Sequence, residues 1–407
     1  MPINLDALST ALNRLCLTSA TFPARFCFAQ DMPSPKVMLR VGHETIKTPI
    51  SGAAAKLLVA QCQQAPFGKG SETLVDTNVR RVWELHPDQF EIMNDDWPDT
   101  LAQIQEVVSE RLWLPKGVLE AQLYRLLVYE KGGFFVSHRD SEKAPRMVGT
   151  LVVSLPCRHK GGFLTVEHGS KRMLLTASGA SEGRSMSIAA FYADCQHRVD
   201  KIRSGHRVSL VFNLTVTPNQ STSPTSPAQQ SEPWRDAFAS WDSKLQKVAI
   251  LLEHRYTRSS VSWELLKGTD REMAQNITQG AKDAGCNASL ALITYSRKGG
   301  AEPNHTGNKF YSHSYNWDTG KSKKQPSDLY DIYEEEIATE FWAPGEETPG
   351  DGKPLKFSTQ EVFSDKSVDF HMPSAEEAEG YLGNEGVTVD QWYHRAAIVV
   401  WKKRSKV

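Results

Sequence analysis

Apolar residues recur at three- and four-residue spacing over 5–17, 53–64 and 97–112, and this period predicts three helices in the first quarter of the chain. From residue 121 the pattern changes. Short runs rich in β-branched and aromatic residues follow one another: LYRLLVYE, FFVSHRD, MVGTLVVSL, GFLTVEH, KRMLLTA, SMSIAAFYA and GHRVSLVFNL. Gly132-Gly133, Gly161-Gly162 and other turn residues punctuate them. Closely spaced short strands with no helix between them predict an antiparallel jelly-roll barrel, because each strand returns beside a neighbour without a crossover helix.

Residues 215–233, TVTPNQSTSPTSPAQQSEP, carry almost no large apolar side chain and predict a Ser/Thr/Pro-rich linker. The expected organisation is therefore 1–214, with a strand core at about 121–214, then the linker, then 234–407. In the last part the pattern predicts a long helix over 233–256 and another over 270–284 with Asp270 as its N-cap. SLALITYS and AAIVVWKK read as strands, so this part is expected to be α+β. A second, degenerate barrel is the lesser reading of it.

Composition narrows the class. The 407 residues are 40% hydrophobic and 23% charged, the profile of a packed protein with more than one core. A formal net charge of −1 supplies no global basic field, which argues against nucleic acid as a partner. No apolar run is long enough to span a bilayer, and the first residues lack the apolar stretch of a signal peptide. The six cysteines are scattered without CxxC spacing and read as reduced thiols, so the expected location is cytoplasmic. Oligomeric state is not legible.

Candidate chemistry lies inside the strand-rich segment. His138 and Asp140 end a strand run, and residues i and i+2 of a strand share a face, so imidazole and carboxylate can converge on one ion. Alone, HxD is short enough to arise by chance. His197, 57 residues after Asp140, is the candidate third ligand, and two histidines with one carboxylate leave coordination positions open for iron(II) chemistry. Arg207 stands in an otherwise apolar strand, which is costly unless an anion meets it. A guanidinium grips a carboxylate through two parallel hydrogen bonds, and Ser209 on the same face would add a third. The bland alternative is an Arg207 paired to a protein carboxylate.

With these residues in place, the stretch from about 121 to 214 resembles the prolyl 4-hydroxylase type of iron(II)- and 2-oxoglutarate-dependent dioxygenases. YEKGGFFVSHRD is similar to the family's strand–turn–strand, GTLVVSLP with GGFLTV to the next strands, and AFYADCQHRVDKIRSGHRVSLVFNL to the segment with the distal histidine and basic residue. Collagen-type members usually carry Lys where Arg207 stands, so the likeness is to Arg-bearing branches. The wider layout is also similar to an uncharacterised microbial and fungal group, which supplies no substrate.

The resemblance implies an α+β chain: a double-stranded β-helix (jelly-roll) catalytic domain flanked by helices, followed by a C-terminal α+β region of unknown role. It implies His138, Asp140 and His197 on Fe(II), Arg207 and Ser209 on the far carboxylate of 2-oxoglutarate, and Tyr129 as their hydrogen-bonding neighbour. Oxygen is the other cosubstrate, and ascorbate is a candidate addition. The implied activity is hydroxylation of a C–H bond on a protein or peptide side chain, with release of succinate and CO2. Hydroxylation of a small molecule and a non-catalytic iron- or oxygen-responsive binding protein are the alternatives.

Other features have plainer readings. Cys195 reads as a small packed residue, and His159 and His168, beside glycine turns, as exposed. Arg80, Arg81 and Trp83 would either line a substrate mouth or simply cover the core. Glu334, Glu335, Glu336 and Glu340 read as a solvated acidic face, and His305, His313, His371 and His394 show no second metal spacing.

Overall fold

The computed structural model describes residues 7–19, 26–69, 72–114, 117–217, 231–241, 245–301, 329–349, 353–364, 373–379 and 387–403. It is a mixed α/β structure, mostly strands, with five helices among the described residues. Contacts divide it into two compact units.

The unit holding residues 26–217 contains a seven-stranded sheet and a five-stranded sheet. The large sheet runs, in spatial order, Cys27–Met32, Met186–Tyr192, Met147–Ser154, Arg207–Val216, Leu119–Tyr129, Trp83–Leu85 and Gln63–Gln64. The small sheet runs Lys171–Leu175, Leu164–His168, Gln196–Val199, Phe134–His138 and Arg80–Arg81. Every pairing in both is antiparallel.

Alternation along the strands gives the large sheet two unlike faces. Leu126, Val128, Leu151, Val153, Ile188, Ala190, Val208, Leu210, Phe212 and Leu214 share one face and none is more than 1% exposed. Helices Gly52–Gln61 and Trp97–Arg111 pack beside it, and the Tyr192 hydroxyl donates to the Leu112 carbonyl just past the second. The other face carries Phe191 together with Tyr129, Thr150, Ser154, Ser187, Arg207, Ser209 and Asn213, whose polar groups a sheet buries only when they have partners. The small sheet faces these, with Phe191 lying 4.4 Å from the His197 ring.

The second unit is one seven-stranded sheet among its described residues. Its long central strands are Leu329–Trp342, Cys286–Ala301 and Val387–Lys402. On one face Leu290, Ile398 and Val400 pack against helices Ala7–Ser19, Glu232–Ala239 and Gly268–Asp283; on the other, Ala291, Ile293, Val399 and Trp401 form a separate cluster. The lesser reading, a second barrel, is not what these strands form.

Three expectations are corrected here. The helix Ala7–Ser19 buries Leu8, Leu12 and Cys16 against Trp234, Phe238 and their neighbours, so a contiguous 1–214 domain does not describe the chain. The long helix over 233–256 is a helix of eight residues, Glu232–Ala239, followed by the strand Lys247–Leu251. KVAIL buries side chains into both clusters, and a short run that is apolar on both faces carries no periodicity to separate strand from helix. Of the linker 215–233, residues 218–230 lie outside the described residues, while Thr215 and Val216 end a strand and Glu232 opens a helix.

Asp270 is not the N-cap, which is Lys267. Its buried carboxylate accepts from the backbone N–H of Glu253 at 2.8 Å, that of His254 at 2.9 Å and the Tyr256 hydroxyl at 2.9 Å. Burial pushes its carboxyl up to about 6, against the pull of His254 and these donors. Asp270→Ala would strand three buried donors. It is expected to destabilise this unit by roughly 2–4 kcal/mol, read as a lower urea midpoint for its transition.

Candidate metal centre and anion pocket

The loop Glu130–Gly133 turns Leu119–Tyr129 into Phe134–His138. Gly133 permits it, since a Cβ there would lie 2.9 Å from the Glu130 carbonyl oxygen and 3.0 Å from that of Arg81. Phe135 pairs with Val199 and His138 with His197, so the strand carries one extra residue between the two pairs. That bulge turns Phe135, rather than Val136, to the side of His138, and the two rings stack at 3.6 Å.

His138 and His197 therefore stand directly opposite one another across two strands, with ring centroids 4.1 Å apart. Asp140 lies beyond the strand, in the following loop, so the simple two-residue strand parity does not place it. What holds it is Thr150 on the large sheet, whose hydroxyl donates to Asp140 Oδ2 at 2.6 Å. Asp140 Oδ1 is 3.9 Å from His138 Nε2 and Oδ2 is 3.8 Å from His197 Nε2. All three donor atoms fall within 4.8 Å of one another.

Both imidazoles are held in one tautomer. His138 Nδ1 lies 2.9 Å from the Val136 carbonyl and His197 Nδ1 lies 3.2 Å from the Cys195 carbonyl. A carbonyl only accepts, so each Nδ1 carries the hydrogen and each Nε2 presents its lone pair. Burial and the neighbouring His197 push His138 down to about 3, which keeps it neutral. Burial alone would raise the Asp140 carboxyl, but His197, His138 and the Thr150 hydroxyl outweigh it and hold it ionised. Two neutral nitrogens and one carboxylate are the donor set that suits iron(II) with positions left open, and the residues fit that ion.

Arg207 is 7% exposed, and its ordinarily high guanidinium pKa is lowered by burial. Nη1 donates to the Gly162 carbonyl at 2.9 Å and Nη2 reaches Ser154 Oγ at 3.4 Å. Gly162 sits at φ +72°, a left-handed backbone conformation that favours glycine, and so presents its carbonyl to the guanidinium. Ser209 does not touch the guanidinium; it bonds Ser154 at 3.1 Å, and Ser154 makes the link. Among the described residues no carboxylate pairs with Arg207, which removes the bland alternative weighed above.

Tyr129 is directly opposite Arg207 in register, its ring 5.7 Å from the guanidinium carbon. Burial raises its hydroxyl pKa; Arg207 and Arg80 pull it down while Asp140 pushes it up. Tyr129 and Arg207 share their face of the large sheet with Thr150, which holds Asp140, so the histidine cluster and the guanidinium lie on the same side of that sheet.

Sequence reasoning missed Thr150 and Ser154. Both sit in GTLVVSL at even spacing, so polar positions sharing one face of an apolar run were the available signal. Thr150→Val keeps the volume and removes the hydroxyl. It is expected to weaken iron(II) binding by about 10-fold, measured by competitive chelation, while leaving the fold intact. Cys195 is fully buried, as expected of a small packed residue. His159 and His168 are not exposed: the first is half-buried with Nδ1 on the Cys157 carbonyl at 2.8 Å, and the second is 8% exposed beside Phe26. Of the four other histidines considered, His305, His313 and His371 lie outside the described residues.

No family model matches this sequence, and no curated protein does. Solved structures give partial likenesses. A 2OG-Fe(II) oxygenase-family oxidoreductase from Burkholderia pseudomallei is 14% identical over 40% of this chain and 78% of its own, with a TM-score of 0.26. A prolyl-4-hydroxylase from Pseudomonas putida is 16% identical over 52% and 100%, with a TM-score of 0.29. A Trichoplax adhaerens prolyl hydroxylase, in complex with a hypoxia inducible factor peptide fragment, is 11% identical over 50% and 90%, with a TM-score of 0.29.

Proposed function

We propose that this protein is an iron(II)- and 2-oxoglutarate-dependent oxygenase that hydroxylates a C–H bond. The reading rests above all on one observation: a buried Arg207, with no carboxylate beside it among the described residues, stands on the same sheet face as Thr150, which holds Asp140 of the cluster His138, Asp140 and His197. A buried unpaired cation is costly, and a carboxylate brought in with the cosubstrate would relieve it. The two facing antiparallel sheets are read as a double-stranded β-helix, whose strands supply both histidines and Arg207.

In this reading His138, Asp140 and His197 hold iron(II). Iron so held supplies oxygen activation coupled to decarboxylation of 2-oxoglutarate, yielding succinate, CO2 and a hydroxylated product. The chain's own residues do the rest. The Val136 and Cys195 carbonyls keep Nε2 of each histidine free, and Thr150 aims the Asp140 carboxylate. Arg207 binds and orients the far carboxylate of 2-oxoglutarate, with Ser154 relaying Ser209 to it and the Tyr129 hydroxyl beside it. Phe135 stacks on His138 and Phe191 lies tilted against His197, and these apolar rings strengthen the charge interactions beside them.

A protein side chain, proline first, is the substrate the motif resemblance favours. The six cysteines are all free thiols, in keeping with a reducing compartment such as the cytoplasm. Among the described residues no helix is long and apolar enough to cross a membrane.

Anaerobic titration with iron(II) and 2-oxoglutarate is expected to produce the weak visible charge-transfer band of a chelated 2-oxo acid. Absence of that band with iron demonstrably bound would overturn the cosubstrate assignment. Succinate formation without added substrate separates an enzyme from a silent binding protein.

A further inference from the structure

The small sheet carries a second arginine, beside the histidine cluster, that the proposed reaction does not use. Arg80 belongs to the short strand Arg80–Arg81 and pairs with Phe135 in register. Its guanidinium lies over the Phe135 ring, 4.7 Å from the centroid, and that ring stacks in turn on His138 at 3.6 Å. One aromatic ring is therefore all that separates the cation from a candidate metal ligand.

The hydrogen bonds of Arg80 are only partly spent. Nη1 donates to the Pro66 carbonyl, which fixes one corner of the plane. Nε is buried and has no partner, and Nη2 has none among the described residues. No carboxylate pairs with Arg80 among the described residues either. Stacking on Phe135 occupies the flat face of the guanidinium and leaves Nε and Nη2 without hydrogen-bond partners among the described residues. Nε and Nη2 form the edge that grips a carboxylate through two parallel bonds. A purely structural role would need only the Pro66 bond and the stack, and would leave a buried donor unmet at a cost of roughly 1–3 kcal/mol.

We propose that Arg80 is the substrate-recognition residue of this site and that the substrate carries a carboxylate near the carbon attacked. The inference rests on the oxygenase reading above and deepens it. With Arg207 committed to 2-oxoglutarate, the two arginines that lack a carboxylate partner among the described residues give two places for carboxylates: one for the cosubstrate, one for the C–H donor. The carboxylate is that of an acidic side chain in a peptide or of a free small acid.

The test uses full-length wild type, Arg80→Gln and Arg80→Lys, each with iron(II) and N-oxalylglycine under anaerobic conditions and again without metal. Binding of N-acetylalanine and of its uncharged N-methylamide is followed by calorimetry, as is binding of a short peptide with a central Asp or Asn. Wild type is expected to bind at least one carboxylate probe at up to about 10 mM, and about tenfold more tightly than its neutral counterpart. Preference for the peptide or for the small acid identifies the source of the carboxylate. Arg80→Gln should erase the preference and Arg80→Lys keep part of it, while iron affinity and the 2-oxoglutarate requirement for succinate formation stay within about twofold of wild type.

Equal binding of charged and neutral probes to wild type, no binding of either, or a preference that survives in Arg80→Gln would each overturn the proposal. So would a matching rise in the 2-oxoglutarate requirement of Arg80→Gln, which would assign Arg80 to the cosubstrate. An Arg80-dependent preference that persists without metal, in a protein that binds iron(II) yet shows no charge-transfer band with 2-oxoglutarate, would sink the oxygenase reading alone.

Discussion

Arg207→Met is expected to make the ligand-free protein more stable and the enzyme almost useless at ordinary cosubstrate levels. The guanidinium is buried with no carboxylate beside it among the described residues, and its hydrogen bonds go only to the Gly162 carbonyl and Ser154 Oγ. Replacing a buried charge by an apolar side chain of similar volume often stabilises a protein by about 1–4 kcal/mol, and an unpaired charge should fall within that range. The melting transition of this unit should therefore move up in the absence of ligand. With 2-oxoglutarate the order reverses. Wild type should gain about 2.7 kcal/mol at a hundredfold excess over its dissociation constant, and the variant almost nothing.

The 2-oxoglutarate concentration for half-maximal succinate formation should rise by about 100-fold in Arg207→Met, while iron affinity by chelator competition stays within about twofold. The opposing signs give this experiment its force. A structural arginine would lower stability in both conditions and weaken iron and cosubstrate together.

The second large effect is at the cluster itself. Asp140→Ala is expected to abolish succinate formation and to weaken iron(II) binding by at least about 100-fold, because the carboxylate is the single anion between two neutral imidazoles. His138→Ala should do the same through loss of a preset Nε2 donor. Asp140 sits in a loop after Phe134–His138 and, among the described residues, only Thr150 donates to it, so folding should survive its removal. Unchanged far-ultraviolet circular dichroism alongside lost iron binding is the expected result. Succinate formation persisting in Asp140→Ala would place the metal elsewhere.

Much of this arrangement was legible before any coordinates. Alternation and glycine punctuation located the seven runs later seen as strands, because a half-buried strand must alternate and a tight turn must admit positive φ. Arg207 drew attention for a thermodynamic reason, since a charge within an apolar strand requires an anion. Strand parity was less reliable. It placed His138 and Asp140 on one face by counting two, whereas the chain places a bulge before His138 and ends the strand before Asp140. A bulge leaves no mark in composition, so counting could not find it.

In the second unit the same limit reappears. KVAIL was read as helix because a segment apolar on both faces has no period, and burial on both sides is decided by partners distant in the chain. The first helix shows its own apolar stripe, yet its place beside Trp234 and Phe238 depends on residues more than two hundred positions away.

At the candidate metal centre, residue types alone pointed to side chains able to hold iron or to grip a carboxylate, because those capacities belong to the groups themselves. Tertiary structure decided their relations: that His138 opposes His197, that Thr150 aims Asp140, that Ser154 rather than Ser209 meets Arg207, and that Arg80 lies over Phe135. Those relations are set by register and by two sheets facing each other, and a linear pattern carries neither.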